Sequence, residues 1–372
     1  MNNKIQSIHL LRGVAVIFVV LYHFKGYLND VYVQRDLGQI LFGSGGFGVD
    51  LFFMISGFII SLSTQNVTSK AVFAVRRFFR IYPAFIVVFV VGAVAVYRFY
   101  PSENLLRGLF FIHRDYSNAS PGFGYNVLGP AWTLTYEIYF YTLFAVAMAI
   151  SHKYRTAIAS ILLVAPIFIL QLYFDGSISI NGDAAASIPV VHHAYGFLRF
   201  ISSPMLVEFV VGMFFYELYK NISINTSKGV SKFILLVCVG FFATNYFSGH
   251  FNGFGMDKAG VISAVLLFGF LLYDKSVGFG ENRLFGFLAD VSFSVYISHY
   301  LFINIANFYK PEFFMTTNGL GRLFLMLTIT MAAGTILHFY IEKPFIKLGK
   351  KIEKHIFYVK NERARRVEIP RN

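Results

Sequence analysis

Long apolar blocks separated by polar connections set the pattern of this chain. Ten of them reach or approach the length that crosses a bilayer as a helix, at roughly 8–27, 45–63, 81–99, 129–150, 156–174, 201–219, 231–248, 259–273, 284–305 and 320–341. The eighth is the weakest, breaking off at Asp274. No fixed-period repeat runs through the blocks and no Pro/Ser-rich linker divides them. The pattern predicts an all-α, polytopic membrane protein of about ten transmembrane helices.

Composition agrees. Only 14% of the 372 residues are charged and 56% are hydrophobic, too little charge to coat a soluble domain of this size. The first apolar run is too long for a cleaved signal and has no small-residue cleavage site behind it. Cys238 is the single cysteine, which excludes a disulfide framework and a thiolate metal cluster. The net charge of +13 has its cause in the connections. With the N-terminus placed inside, the inner connections and the tail hold 22 Lys and Arg and the outer ones 7. That asymmetry predicts both termini in the cytoplasm and explains the charge without a nucleic-acid partner. The basic tail, 346–372, reads as an anchor at anionic membrane lipids beyond a transmembrane domain of 1–345. The outer stretch at 100–128, with SNASPGFGYN near its end, reads as turns and flexible surface.

Ionisable residues inside the apolar runs are functional candidates by default. Arg12 and His23 share the first helix. Eleven residues return to within roughly 20° of the same face, about 16 Å further along the axis, so the two are expected to look into one cavity. A snorkelling Arg and a structurally bonded His remain the plain alternative for either one alone. Topology then brings His23, Asp50, Glu137 and His299 to similar depth in the outer half, on four different helices. A carboxylate partner would hold a His in one tautomer and keep it basic, as general-base catalysis requires. On the inner side, Arg76, Arg77 and Arg80 precede the third helix, whose first turn would hold Pro83. Paired guanidiniums suit a phosphate-bearing ligand, although on spacing alone positive-inside anchoring is the better explanation. His192 and His193 read as outer-loop surface, and Glu208 and Asp290 have no assigned role. No phosphate-binding Gly-rich loop and no metal-ligand spacing is present.

The runs LLRGVAVIFVVLYHF, GGFGVDLFFMISGFII, RRFFRIYP, GPAWTLTYEIYFY, SFSVYISHYLF and IEKPF occur in that order. Together they resemble the acyltransferase family 3 membrane proteins, especially the bacterial exopolysaccharide and O-antigen O-acetyltransferase branch, over essentially the whole chain. The resemblance implies a ten-helix core in the bacterial inner membrane. That core moves an acyl group, usually acetyl, from cytoplasmic acetyl-CoA or another acyl-CoA to a glycan or lipid-linked saccharide. The acyl-CoA is a co-substrate; no cofactor is bound permanently. Its arginine–histidine motif falls on Arg12 and His23, its R-x-x-R motif on Arg77 and Arg80, and its tryptophan-to-glutamate motif on Trp132 and Glu137. Position 9, acidic in many members, is His9 here.

The resulting expectation assigns Arg12, Arg77 and Arg80 to the donor. His23 acts as general base or as acyl carrier, Glu137 or Asp50 orients it, and His299 is a second proton carrier or an acceptor contact. Trp132 and Tyr136 would contact the acceptor. A transporter or flippase for lipid-linked saccharides shares the helix count and the buried charges, but more often shows inverted repeats. An N-acyltransferase acting on an amino sugar is the nearest enzymatic competitor.

Overall fold

A computed structural model describes residues 5–191, 193–223 and 226–367. Among them the chain is helical with no strand. Its long helices are α1 (Gln6–Phe24), α2 (Phe47–Ser63), α3 (Lys70–Ala95), α4 (Trp132–Ile150), α5 (Arg155–Asp175), α6 (Val207–Asn221), α7 (Lys228–Ser248), α8 (Ala259–Ser276), α9 (Arg283–Tyr309), α10 (Gly319–Leu337) and α11 (Lys343–Val367). Nine segments of the described residues are long and apolar enough to cross a membrane, or ten if one bent pair is a single span. The weak eighth block is α8 and passes this test. The protein is a multi-pass membrane protein.

The bent pair is the expected run at 201–219. Tyr195–Ile201 and Pro204–Asn221 meet at 45°. Pro204 has no N–H to give and disfavours helical geometry at Ser203, so the helix stops and restarts in a 3₁₀ turn. The freed polar groups find partners: Ser202 Oγ accepts from Ala186 N at 2.8 Å and donates to Arg199 O at 2.7 Å.

Three expectations need correcting. The helix expected at 81–99 begins at Lys70, with the Ser69 hydroxyl accepting from Val72 N, and ends at Ala95. Arg76, Arg77 and Arg80 therefore lie inside a formed helix, and Pro83 sits mid-helix instead of in the first turn. An apolar-window reading misses this because the first turns of α3 are polar and basic. The stretch at 100–128 is not flexible surface. It forms a short helix, Ser102–Leu109, and then folds inward, burying His113, Ser120, Phe123 and Asn126. Asn126 bonds Gly108 O and Leu128 N at 3.1 Å each, and Ser120 Oγ donates to Gly182 O at 2.8 Å. These bonds satisfy a buried non-helical backbone that a membrane would otherwise exclude. The tail continues α10 through a π turn, His338–Glu342, into α11, which packs along α3. Of the histidine pair, His192 lies outside the described residues and His193 begins a short helix, His193–Ile201.

Packing between spans uses small residues where backbones touch. α2 crosses α6 at Gly57 and Gly212, where an added Cβ would run into the Phe209 and Met54 carbonyls respectively. Helices in lipid associate through such close contact, there being no hydrophobic gain between apolar surfaces. Gly212→Ala is expected to cost about 1–3 kcal/mol by forcing the two helices apart. Thermal unfolding in detergent, followed by loss of monodispersity, checks this against Gly240→Ala, whose Cβ would meet nothing.

Candidate active site

A cavity of about 510 Å³ lies between α1, α2, α3, α4, α9 and the π turn. Its lining runs from Lys343 and Ile346, at the end of the bundle where α11 and the arginines of α3 lie, inward to Thr133 and Tyr296. Arg12, Arg77 and Arg80 all face it. Each is held differently. Arg12 Nη2 donates to Ser292 Oγ at 2.8 Å, and that hydroxyl donates to Ala289 O at 2.8 Å. Arg77 lies over the rings of Phe73 and Tyr141, at 6.0 and 5.6 Å, and its buried Nε has no hydrogen-bond partner. Arg80 pairs with Glu342 and lies 5.5 Å over Phe293.

Glu342 is wholly buried and anchors more than Arg80. Its Oε2 accepts from Ser294 Oγ at 2.6 Å and from His338 Nδ1 at 3.0 Å. His338 and Glu342, four residues apart on the π turn, lie on the same side of it. Sequence reasoning quoted IEKPF without giving Glu342 a role; a carboxylate in an otherwise apolar run just before a Pro was the signal available.

The four ionisable residues expected at one depth separate into three places. Glu137 faces the cavity with the arginines, accepting from the Tyr141 hydroxyl and from Ser56 Oγ at 3.3 Å. Asp50 is fully buried, takes the Gly255 N–H on Oδ1 at 2.9 Å and lies against Glu208, one of the two residues left without a role. His23 and His299 do come together, their ring centroids 5.0 Å apart, with Tyr300 5.2 Å from His23. Neither Glu137 nor Asp50 hydrogen-bonds His23, and the ring beside it is that of His299. The cause is rotation about the helix axes, which depth along a sequence does not determine. His299 is fully buried; its Nδ1 bonds Tyr296 O at 2.6 Å and its Nε2 has no partner.

Tyr296 separates the cavity from this pair. One side of it lines the cavity, its ring lies 5.9 Å from His299, and its hydroxyl bonds Thr133 Oγ1 at 2.9 Å and donates to Pro130 O at 3.1 Å. Three residues before His299 on the same helix face, it was readable as a neighbour but carried no charge to draw notice. Trp132 and Tyr136, the expected acceptor contacts, lie in the wall between α4 and the inserted stretch. The Trp132 ring packs against Phe53, Tyr125, Tyr136 and Phe254, and the Tyr136 hydroxyl is engaged by Pro121 O and Ser203 Oγ at 3.0 and 3.1 Å. Among the described residues no group of three or more His, Cys, Asp or Glu could hold a metal ion.

The site thus joins a cavity rich in guanidinium groups, fit for an anionic ligand, to a histidine pair just beyond it. Comparison with known proteins follows the same line. An acyltransferase domain matches residues 5–339. The exopolysaccharide production protein ExoZ of Rhizobium meliloti (strain 1021) is 26% identical over 318 residues, covering 83% of this chain and 92% of its own. Acyltransferase MdmB of Streptomyces mycarofaciens is 22% identical over 375 residues, covering 93% of this chain and 92% of its own. A Staphylococcus aureus (strain COL) protein named for O-acetyltransferase activity is 23% identical over 381 residues, covering 92% of this chain and 57% of its own. No solved structure gives a significant match. With the domain spanning nearly its whole length and the arginine and histidine motifs meeting at one site, the chain belongs to acyltransferase family 3 and is a membrane acyltransferase.

Proposed function

We propose that the protein is an O-acetyltransferase of the bacterial inner membrane. It moves an acetyl group from cytoplasmic acetyl-CoA to a hydroxyl of an exported or lipid-linked glycan. The observation that carries this reading is the arginine-lined cavity ending at Tyr296, with His23 and His299 directly behind it. The excess of basic residues favours the cytoplasmic side for the cavity mouth and α11. The names of ExoZ and the O-acetyltransferase relatives favour a polysaccharide acceptor and an acetyl group.

In this reading the donor enters from the cytoplasm with its phosphates on Arg77 and Arg80, and its thioester lies deep in the cavity near Tyr296. Arg12 and Glu137 line the path of the pantetheine arm. The acceptor hydroxyl comes from the opposite side to His23, which is partly exposed. His23 removes the hydroxyl proton as the oxygen attacks the thioester carbonyl carbon. The tetrahedral intermediate collapses, the C–S bond breaks, and the thiolate leaves with the proton returned through His23. In the acyl-enzyme route a His23 ring nitrogen attacks the thioester carbon and the C–S bond breaks; the acceptor oxygen then takes the acetyl group as the C–N bond breaks, and its proton passes to the CoA thiolate. Tyr296 stands at the crossing point, where its hydroxyl is able to exchange the Pro130 carbonyl for the thioester oxygen.

The test is transfer of label from [acetyl-¹⁴C]acetyl-CoA, supplied to inside-out membrane vesicles, into extracted glycan. Base-labile label dependent on the protein is expected. Label resistant to mild base would point to amide formation on an amino sugar, and no label with acceptor present would overturn the acyl-CoA reading.

A further inference from the structure

A second cavity of about 440 Å³ opens between α3 and α11, lined by Arg76, Arg77, Phe79, Lys350, Glu353 and Lys354 among others. It shares Arg77, Arg80 and Ile346 with the main cavity, so one elongated ligand can occupy both. The far wall belongs to α11, which lies beyond the family-matched residues 5–339. α11 is pressed against α3 at Gly349, where an added Cβ would stand 2.9 Å from Phe79 Cβ. That contact brings Lys350 and Lys354, one helical turn apart, to the rim of the groove.

The charges are not all free. Arg76 donates to both oxygens of Glu353, at 2.9 and 2.5 Å, and Arg80 is paired with Glu342. Lys350 and Lys354 form no ion pair among the described residues, and both are exposed. With Arg77 they make a positive surplus at the wet end of a cavity whose deep end is mostly apolar. An acyl-CoA has the matching order of parts: an acyl thioester, a long arm, a pyrophosphate, and a ribose bearing a 3′-phosphate. A phosphate monoester carries close to two negative charges at neutral pH, and compact ammonium groups serve it as point charges.

Resting on the acyl-CoA reading above, we propose that Lys350 and Lys354 form a distinct anion subsite for the donor's 3′-phosphate, with Phe79 beside the base. The tail helix is then part of donor recognition and not only a membrane anchor.

Acetyl-CoA and acetyl-dephospho-CoA, which lacks only that phosphate, discriminate the idea. In vesicles of neutral lipid, the wild type is expected to show a KM about tenfold lower for acetyl-CoA, the loss of one charge-assisted phosphate contact. Lys350→Ala/Lys354→Ala should narrow the ratio of the two KM values towards one, and Lys350→Arg/Lys354→Arg should restore it. A wild-type ratio near one, or a ratio preserved in the alanine variant, would overturn the subsite while leaving acyl-CoA as donor. If the lysines instead change KM for both thioesters equally, and only when anionic lipid is present, they hold lipid headgroups and the subsite is wrong. If the wild type uses neither thioester, the donor reading itself has failed, which the same assay shows separately.

Discussion

Membranes carrying His23→Ala are expected to lose acetyl transfer by about 10²–10⁴-fold, the usual contribution of a positioned general base, while the protein inserts and folds as before. The position explains both halves of this expectation. His23 lies on α1 with its ring against His299 and Tyr300 and is partly exposed, and its removal breaks no hydrogen bond or ion pair among the described residues. The chemistry has no equally placed substitute. His299 is fully buried and its Nδ1 is engaged by the Tyr296 carbonyl. A fall in kcat with KM for acetyl-CoA little changed is the expected split, because the proposed phosphate contacts, Arg77 and Arg80, lie on α3 at the other end of the cavity from Tyr296. Arg12→Ala, by contrast, should raise the donor KM. Activity within threefold of wild type in His23→Ala would remove the histidine from the chemistry and move attention to Glu137 in the cavity. His299→Ala provides a useful comparison: it too should lower activity, but through the placement of Tyr296 and His23, so its loss should be smaller and accompanied by lower thermal stability.

Much of this arrangement was legible in the chain. The apolar blocks located the spans, but the 11-residue spacing put Arg12 and His23 into one cavity, whereas Arg12 alone lines it and His23 lies against His299 and Tyr300. The order of motifs identified the family. The illegible parts share a physical cause. Depth along a helix can be counted from sequence at 1.5 Å per residue, but rotation about its axis depends on which neighbours it packs against. Counting put Glu137 and Asp50 level with His23, whereas packing turns Glu137 towards the arginines and Asp50 towards Glu208. The apolar-block reading also fails where polar residues are helical. α3 starts eleven residues early because its amphipathic first turns lie against α11, and the stretch at 100–128 looks like a surface loop because its buried backbone is satisfied by Asn126 and Ser120. Tyr296 and Glu342, the two residues that organise the inner end and the mouth of the cavity, became visible only through their partners.

Glu342 is the clearest case, and its replacement is expected to have the largest effect on stability. The carboxylate is wholly buried and faces Arg80, His338 and Ser294 at once. Glu342→Ala leaves the Arg80 guanidinium beside an apolar wall with its countercharge gone, a change that costs about 3–5 kcal/mol in buried pairs. The arginine is only partly sequestered, its side chain 25% exposed, so reorientation towards the cavity and the groove relieves some of that cost and favours the lower end. Glu342→Gln keeps a carbonyl oxygen for the Ser294 hydroxyl and fills the same volume, so it should lose less stability than alanine while removing the charge that fixes Arg80. The two variants therefore separate packing from positioning. Thermal unfolding in detergent should rank wild type above Gln above Ala. Donor KM should rise in both, by a similar factor, because both release Arg80 from the wall it shares between the two cavities. Equal stability of all three proteins would show that the π turn is held by helix packing alone. Unchanged donor KM in the glutamine variant would show that Arg80 reaches the donor without being held, and that the carboxylate serves the fold and not the site.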